Sequence, residues 1–376
     1  MADDAPISSA PIQLPVINIS KATPAVGREM IDAAKEYGFL YMDGAGTIFS
    51  KQDVDGAFGM ARKFFRSPLE EKAEVKMDKH KNGWAGMHAE TLDPEHQQRG
   101  DFKEVFNLRE LRDGKPQQPI PKALVPQEAE LLHFMALCQT TCDRILTLLA
   151  LGLEIPPDFF TSRHSRSLGP SGCTLRLLYY PSLQSHSTST FQHGVDVRAG
   201  AHSDYGSITL LFQRDGQPGL EVLTPRGEWA AVPVRPMTSS SPTMRAVAVE
   251  DDDTSFPPIL VNIGDLLSYW TCGLLKSTVH RVVFPKDDKE QQQQQHPPQS
   301  QVIPGPTDDG TDPDPAARYS IAYFCHPADD TELVPVPSPL IEQRLQEQKL
   351  LDEKGNPITA RGHLASRIAA TYGVSK

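Results

Sequence analysis

Residues 199–213 of this chain read AGAHSDYGSITLLFQ. Two side chains that can bind a metal, His202 and Asp204, stand one residue apart. Because alternate residues of a strand point to the same face, an extended backbone here directs an imidazole and a carboxylate into one cavity. The apolar run that begins at Ile208 predicts a buried strand leaving that cavity. The stretch therefore predicts two ligands of a metal site that needs a third.

A second stretch, residues 259–285, contains a candidate for the third ligand. Its sequence, ILVNIGDLLSYWTCGLLKSTVHRVVFP, predicts a strand, a turn at Gly264-Asp265, another strand through Trp270, and a last strand that carries His280. Two histidines and one carboxylate on neighbouring strands, with coordination positions left open, are the ligand set of non-haem Fe(II) oxygenases. His280 is therefore the predicted third ligand.

A third feature follows at the start of the strand RYSIAYFC, where Arg318 and Ser320 share a face. A guanidinium at the start of an otherwise apolar strand needs an anion when it is buried. That anion is either a bound ligand or an internal aspartate or glutamate, and the spacing does not distinguish them.

In this order and with their flanking sequences, these features resemble the 2-oxoglutarate and Fe(II)-dependent dioxygenases of the isopenicillin N synthase-like group. The fungal thymine hydroxylase-like branch is the most similar. The resemblance runs from Leu14 to about Gly373, and a bare His-x-Asp would not be specific enough to establish it. Besides residues 199–213, it is carried by LPVIN, EYGFLY, LRLLYYP, GDLLSYW, KSTVHRVVFP, RYSIAYFCHP and IAATYG.

The resemblance implies a mainly β fold with flanking helices (α+β) and a double-stranded β-helix, or jelly roll, as its core. Short strands separated by turn signals from Gly172 onward agree with this. The implied activity is oxidation of a small organic molecule by O2, with Fe(II) as the metal and 2-oxoglutarate as the cosubstrate, releasing succinate and CO2. Hydroxylation is the expected outcome, with desaturation or ring closure as alternatives, and ascorbate is an optional reductant. Fungal secondary metabolism is one setting that fits.

The resemblance also implies a role for individual residues. The expected iron ligands are His202, Asp204 and His280. Arg318 is expected to bind the distal carboxylate of 2-oxoglutarate, with Ser320 and Tyr180 as further contacts. The family often has a polar residue two positions before this tyrosine, where this chain has Leu178, so that part of the pocket is expected to differ. The candidate substrate contacts are Trp84, Lys103, Phe106 and Phe324.

The predicted organisation is one oxygenase unit with additions. A disordered N-terminus (1–13) precedes a helical and mixed region (14–160), in which 70–120 is expected to be irregular. The jelly-roll core (172–335) is interrupted by low-complexity inserts at 236–258 and 286–317, and helices 339–354 and 360–372 are predicted in the C-terminal part (336–376). Neither insert can bury enough apolar area to offset its ordering entropy, so both are predicted to be surface loops.

Composition limits the other possibilities. The formal net charge is −11 and the pI about 5.6, which argues against nucleic-acid binding because phosphate neutralisation needs a basic surface. The sequence shows no apolar run of membrane-spanning length and no signal pattern at its start, so no membrane partner is expected and a cytosolic address is the default. The five cysteines are odd in number and fall mostly in apolar runs, which predicts reduced core residues. The oligomeric state is left open.

Three other functions compete with the dioxygenase. An oxidase could use the same iron site without 2-oxoglutarate, taking electrons from its substrate or from ascorbate. A non-catalytic small-molecule receptor could share the fold, although a receptor has no need of an open metal site. A zinc hydrolase fits less well, because no general base is assigned and the Arg-x-Ser feature has no role in it.

Overall fold

The computed structural model describes residues 5–236, 256–284, 314–342, 344 and 357–372. Its strands are β1 (Val16–Ile17), β2 (Phe39–Met42), β3 (Gly83–Ala85), β4 (Glu104–Arg109), β5 (Leu111–Arg112), β6 (Lys115–Pro116), β7 (Thr174–Tyr180), β8 (Ala199–His202), β9 (Ile208–Phe212), β10 (Leu220–Leu223), β11 (Trp229–Ala231), β12 (Ile259–Ile263), β13 (His280–Val282) and β14 (Arg318–Cys325). Its helices are α1 (Pro24–Glu36), α2 (Lys51–Phe65), α3 (Leu69–Glu74), α4 (Glu128–Gly152), α5 (Asp265–Trp270) and α6 (Ala360–Tyr372).

Two sheets form the centre of the molecule. The larger has eight strands in the order β1-β2-β12-β9-β14-β7-β4-β3, and the smaller has four in the order β11-β10-β13-β8. Residues alternate between the two faces of the larger sheet, as the pleat requires. On β2, for example, Phe39 and Tyr41 belong to the apolar cluster between the sheets, whereas Leu40 and Met42 belong to the cluster shared with the helices. The space between the sheets is therefore available for a site.

The helices cover the outer face of the larger sheet. Thr23 caps α1 by accepting from the Val26 amide, and Ser50 and Asp53 form a reciprocal capping box at the start of α2. Helix α4 packs against α1 and α2 and against the sheet. Together with the turn before it, α4 is long and apolar enough to cross a membrane, but most of that segment is buried inside the protein. Its apolar composition is explained by packing in the core.

Two local predictions were wrong. The segment GDLLSYW is not a strand, because Asp265–Trp270 is the helix α5. Gly264 provides an extended residue before the helix, and the apolar residues Leu266, Leu267 and Trp270 recur at helical spacing. Residues 70–120 are not irregular throughout, since β4 pairs with β7 along its whole length. Some polar residues of that segment, such as Asn107, are buried and hydrogen-bonded within this structure.

Part of the N-terminal segment, which was predicted to be disordered, lies along strand β11. The Ser8 amide donates to the Trp229 carbonyl over 2.7 Å, and the Ile12 amide donates to the Ala231 carbonyl over 2.9 Å. An edge strand offers unpaired carbonyls, and this segment satisfies them.

The other structural predictions concern the C-terminal helices, the cysteines and the two low-complexity inserts. Helix α6 lies where a C-terminal helix was predicted, and all five cysteines are buried free thiols, as expected. The predicted helix at 339–354 lies outside the described residues apart from 339–342 and 344, and so do most of the two predicted inserts.

Candidate metal centre

Strands β8 and β13 bring the two predicted histidine ligands together. His280 lies directly opposite His202 in this antiparallel pair, and the two ring centroids are 4.4 Å apart. Asp204 follows two residues after the end of β8. Its Oδ1 lies 4.0 Å from Nε2 of His202 and 3.8 Å from Nε2 of His280. Among the described residues these three form the one cluster of potential metal ligands whose donor atoms all lie within 4.8 Å of one another.

Backbone carbonyls orient both imidazoles. Nδ1 of His202 lies 2.8 Å from the Gly200 carbonyl, and Nδ1 of His280 lies 3.1 Å from the Thr278 carbonyl. A carbonyl only accepts, so the proton of each neutral ring sits on Nδ1 and the lone pair of Nε2 points toward Asp204. Burial, with a further contribution from His280, lowers the pKa of His202 to about 3 and keeps that ring neutral. The carbonyl contacts thus leave Nε2 of each neutral ring as the atom that can bind a metal.

Two side chains that sequence reasoning missed hold the carboxylate of Asp204. The Thr209 hydroxyl donates to Oδ2 over 2.6 Å, and the Asn262 amide donates to the same oxygen over 2.8 Å. Thr209 and Asn262 are register partners on β9 and β12. Burial alone would raise the pKa of Asp204, but the two histidines and these hydrogen bonds lower it. The apolar runs ITLLF and ILVNI each contain one polar residue, and this pattern was the sequence signal that could have identified Thr209 and Asn262.

The three ligand atoms suit the implied metal. Two neutral imidazole nitrogens and one carboxylate oxygen converge on one point, and the second carboxylate oxygen is already hydrogen-bonded. A facial set of this kind leaves positions open for further oxygen ligands and is the arrangement used by non-haem Fe(II) oxygenases. The hydrogen bonds that orient each ligand are the kind of support that metal sites need. The residues present therefore fit Fe(II).

Arg318 lies buried on the wall of the same cavity. Its Nε donates to the Gln217 carbonyl over 3.2 Å, and its Nη1 donates to the Ser320 hydroxyl over 3.3 Å. The guanidinium lies 4.9 Å from the ring centre of Tyr180, its register partner on β7. In the part of the chain that the structure describes, Arg318 forms no ion pair with a carboxylate. Desolvation lowers the pKa of Arg318, so a bound anion would relieve its burial.

The four candidate substrate residues separate into two pairs. Lys103 and Phe324 line the cavity that also contains the three predicted ligands and Arg318. Trp84 and Phe106 do not line it. The Trp84 indole donates to Glu104 over 2.8 Å near the edge of the larger sheet. Phe106 is fully buried on the helix-facing side, with its ring centre 4.6 Å from that of Phe64.

Charged side chains near Lys103 are paired with one another. Its ammonium lies 2.6 Å from Asp101 and 3.4 Å from Glu90. Burial alone would lower the pKa of Lys103, but Asp101 and Glu90 raise it, so the side chain stays charged. Arg176, another lining residue, lies 3.4 Å from the other oxygen of Glu90, and its guanidinium is 5.5 Å from the Phe324 ring. The part of the cavity wall formed by Lys103 and Arg176 therefore contains two cations. Their charges are paired with the carboxylates of Asp101 and Glu90.

Comparisons with known proteins agree with the geometry. Residues 14–128 match the N-terminal domain family described as non-haem dioxygenase in morphine synthesis, and residues 240–327 match the 2OG-Fe(II) oxygenase superfamily. A 2-oxoglutarate-dependent dioxygenase of a Dothideomycetidae species is 30% identical, over 80% of this chain and 80% of that protein. The chain belongs to the 2-oxoglutarate and Fe(II)-dependent oxygenases.

Other proteins similar to this oxygenase match along almost the whole chain. A UPF0676 protein of Schizosaccharomyces pombe is 34% identical over 97% of this chain and 94% of that protein. A full-length Neurospora crassa protein, whose crystal structure contains alpha-KG, has a TM-score of 0.68 and 26% identity, and the match covers 97% of this chain and 98% of the other. The same Neurospora crassa protein has also been crystallised with alpha-KG and thymine.

These relatives confirm several predictions. The fold is the double-stranded β-helix of the oxygenases, within a mainly β architecture with flanking helices. The protein is an oxidoreductase of the thymine hydroxylase-like kind, whose reaction depends on Fe(II) and 2-oxoglutarate. The similar dioxygenases of fungi agree with the secondary-metabolism setting.

Proposed function

We propose that this oxygenase hydroxylates a small, uncharged organic molecule, with His202, Asp204 and His280 as the ligands of Fe(II). The convergence of the three donor atoms, each oriented by its own hydrogen bonds, is the observation that carries the assignment. When bound, the iron supplies O2 activation coupled to oxidative decarboxylation of 2-oxoglutarate to succinate and CO2. The protein contributes by binding the cosubstrate and the substrate and by orienting them at the metal.

Arg318 binds the distal carboxylate of 2-oxoglutarate in this proposal. Its planar fork can donate to both carboxylate oxygens, and Ser320 fixes the guanidinium by accepting from Nη1. Tyr180 presents its ring to the guanidinium and lines the same cavity. Because Arg318 is buried and the described residues provide no internal carboxylate for it, the cosubstrate neutralises a charge that folding has desolvated. Leu178 lies on the cavity wall where relatives often have a polar residue, and it contributes apolar contact.

The substrate occupies the space between the metal and the wall formed by Lys103, Arg176 and Phe324. The two cations of that wall are balanced by Asp101 and Glu90, so an anionic substrate would place an unmatched charge in a buried site. A neutral ring with carbonyl oxygens could accept from these cations and contact Phe324. Thymine, which the related Neurospora crassa protein binds in its crystal structure, is a molecule of this class. In this proposal the wall residues hold one C–H bond of the substrate toward the metal and exclude water.

The first experiment is an anaerobic titration of 2-oxoglutarate into Fe(II)-loaded protein. A weak visible charge-transfer band should appear in the wild type, vanish in His280→Ala, and require far more cosubstrate in Arg318→Ala. Absence of the band from an iron-loaded wild type would contradict the cosubstrate assignment and favour an oxidase that does not use 2-oxoglutarate. Metal-dependent hydrolysis without O2 uptake would favour the zinc hydrolase. Small-molecule binding that is unaffected by Asp204→Ala would favour the receptor.

A substrate screen then tests the charge argument. Succinate release should be stimulated by neutral rings such as thymine and much less by uracil-5-carboxylate, which has a similar ring with an added negative charge. The reverse preference would contradict a neutral substrate. The absence of a nucleic-acid or membrane partner and the cytosolic address stay predictions.

A further inference from the structure

The turn between the two ligands His202 and Asp204 is tied to helix α5. Ser203, the residue between them, donates its hydroxyl to Asp265 Oδ2 over 3.0 Å. The Asp265 amide donates to the Asp204 carbonyl over 2.7 Å. A Cβ atom added to Gly264 would lie 2.2 Å from the Gly206 carbonyl oxygen, so the start of α5 lies directly against the turn. Asp265 thus holds this turn through its backbone and its carboxylate.

Helix α6 holds Asp265 from the other side. Nε of Arg367 lies 2.7 Å from Asp265 Oδ2, the same oxygen that accepts from Ser203. The Asp265 side chain is 13% exposed and that of Arg367 is 40% exposed, so the pair lies at the edge of the protein surface. A continuous line of contacts therefore leads from the C-terminal helix through Asp265 to the residue between two metal ligands.

A second contact from α6 reaches the other side of Asp204. The Tyr205 hydroxyl donates to Thr371 Oγ1 over 2.7 Å. Ser203 and Tyr205, the two chain neighbours of Asp204, are thus both linked to α6, one through Asp265 and one directly. The turn itself lies outside the strands, between the end of β8 and the start of β9. Its backbone is held by the Asp265 amide, which donates to the Asp204 carbonyl, and by the Cys325 carbonyl, which accepts from the Ser207 amide over 2.8 Å.

The helix has anchors of its own away from the turn. The His363 and Tyr269 rings lie 5.2 Å apart, and Arg361 pairs with Asp329 over 3.0 Å. Helix α6 is therefore attached to the body of the protein independently of its contacts with the turn. Losing the contacts at Arg367 and Thr371 need not release the helix.

We propose that Arg367 and Thr371 are positioning residues through which the C-terminal helix holds Asp204 in place and thereby sets the affinity of the metal site. This inference rests on the proposed function, because it takes Asp204 to be an iron ligand. Removing the contacts leaves Thr209, Asn262 and the Asp265 amide to hold Asp204, while Ser203 and Tyr205 on either side of it lose their links to α6. Mutating residues that orient the ligands without binding the metal themselves typically lowers metal affinity by about tenfold to a hundredfold.

The test is an anaerobic titration of Co(II) into metal-free full-length protein, followed by calorimetry and by the visible Co(II) spectrum. The variants are the double substitution Arg367→Ala with Thr371→Val, and Tyr205→Phe, which removes one hydroxyl and should fold even if the double variant does not. Arg361→Ala is the matched control, since it removes an arginine–aspartate pair near the start of the same helix.

The double variant should bind Co(II) about tenfold to a hundredfold more weakly, with an altered Co(II) spectrum. Tyr205→Phe should show a smaller loss, and Arg361→Ala should bind like the wild type. Equal affinity and equal spectra in Tyr205→Phe, the double variant and the wild type would overturn the inference, as would an equal loss in Arg361→Ala. His280→Ala is titrated beside them: if the wild type binds no better than His280→Ala, the metal assignment itself fails and the inference falls with it.

Discussion

Asn262 and Asp204, 58 residues apart in the sequence, share a 2.8 Å hydrogen bond from the Asn262 amide to the Asp204 carboxylate. Because this bond and the one from Thr209 occupy Oδ2, the other carboxylate oxygen faces the two histidines. The metal site therefore depends on residues of the larger sheet as much as on the strands that carry the ligands.

Substituting Asn262 by alanine should weaken metal binding by about tenfold to a hundredfold, because the carboxylate loses a donor that orients it. Calorimetric titration of metal-free protein with Co(II) measures the change. The control is Asn18→Ala, which removes an exposed asparagine–aspartate hydrogen bond far from the site and should leave the affinity unchanged. Unchanged affinity in Asn262→Ala would show that Thr209 alone is sufficient.

Replacing Arg318 by lysine should raise the KM for 2-oxoglutarate although the charge is kept. A lysine ammonium cannot reproduce the planar fork, and each charge-assisted hydrogen bond contributes about 1.5 to 3 kcal/mol. Loss of one such bond corresponds to a factor of roughly ten to a hundred or more. Succinate formation at varied 2-oxoglutarate measures the KM, with Arg112→Lys, at the ion pair between Arg112 and Glu110, as the control. A KM equal to that of the wild type would contradict direct recognition by Arg318.

Two phenylalanines assigned to the substrate by resemblance should behave differently. Phe106→Ala should lower the free energy of unfolding by about 3 to 5 kcal/mol, because the ring is fully buried against Phe64. Phe324→Ala should have a smaller effect on unfolding and should raise the KM for the organic substrate, because this ring lines the cavity. Chemical denaturation and succinate release measure the two quantities. A substrate effect of Phe106→Ala without loss of stability would reverse these assignments.

Glu90 should contribute to stability in a pH-dependent way. Burial alone would raise its pKa, but Arg176 and Lys103 lower it from 4.5 to about 2 in the folded protein. Since the folded pKa is the lower one, the stabilisation is present above pH 4.5 and is lost as the pH falls toward 2. The difference in unfolding free energy between the wild type and Glu90→Gln should therefore shrink as the pH falls from 4.5 to 2. A constant difference across that interval would contradict the paired state of Glu90.

Much of the site was predictable from the sequence because its motifs are local. His202 and Asp204 are fixed relative to each other by one intervening residue, and Arg318 and Ser320 by strand alternation. Thr23 and Ser50 cap the starts of α1 and α2 in the same local way, because capping depends on a few neighbouring residues. Predictions were wrong where a polar segment was expected to be irregular, as in the segment that contains β4.

The sequence by itself determined the chemistry of the centre, since the ligand types, their order and the arginine that follows them are already present in the chain. Tertiary structure alone decided which other side chains reach that centre. Thr209 and Asn262 meet Asp204 because β9 and β12 are neighbours, and Lys103 lines the cavity while Phe106, three residues later, faces the helices. These outcomes depend on strand pairing and on which face of a strand is turned inward, and both are set by contacts between segments that are distant in sequence.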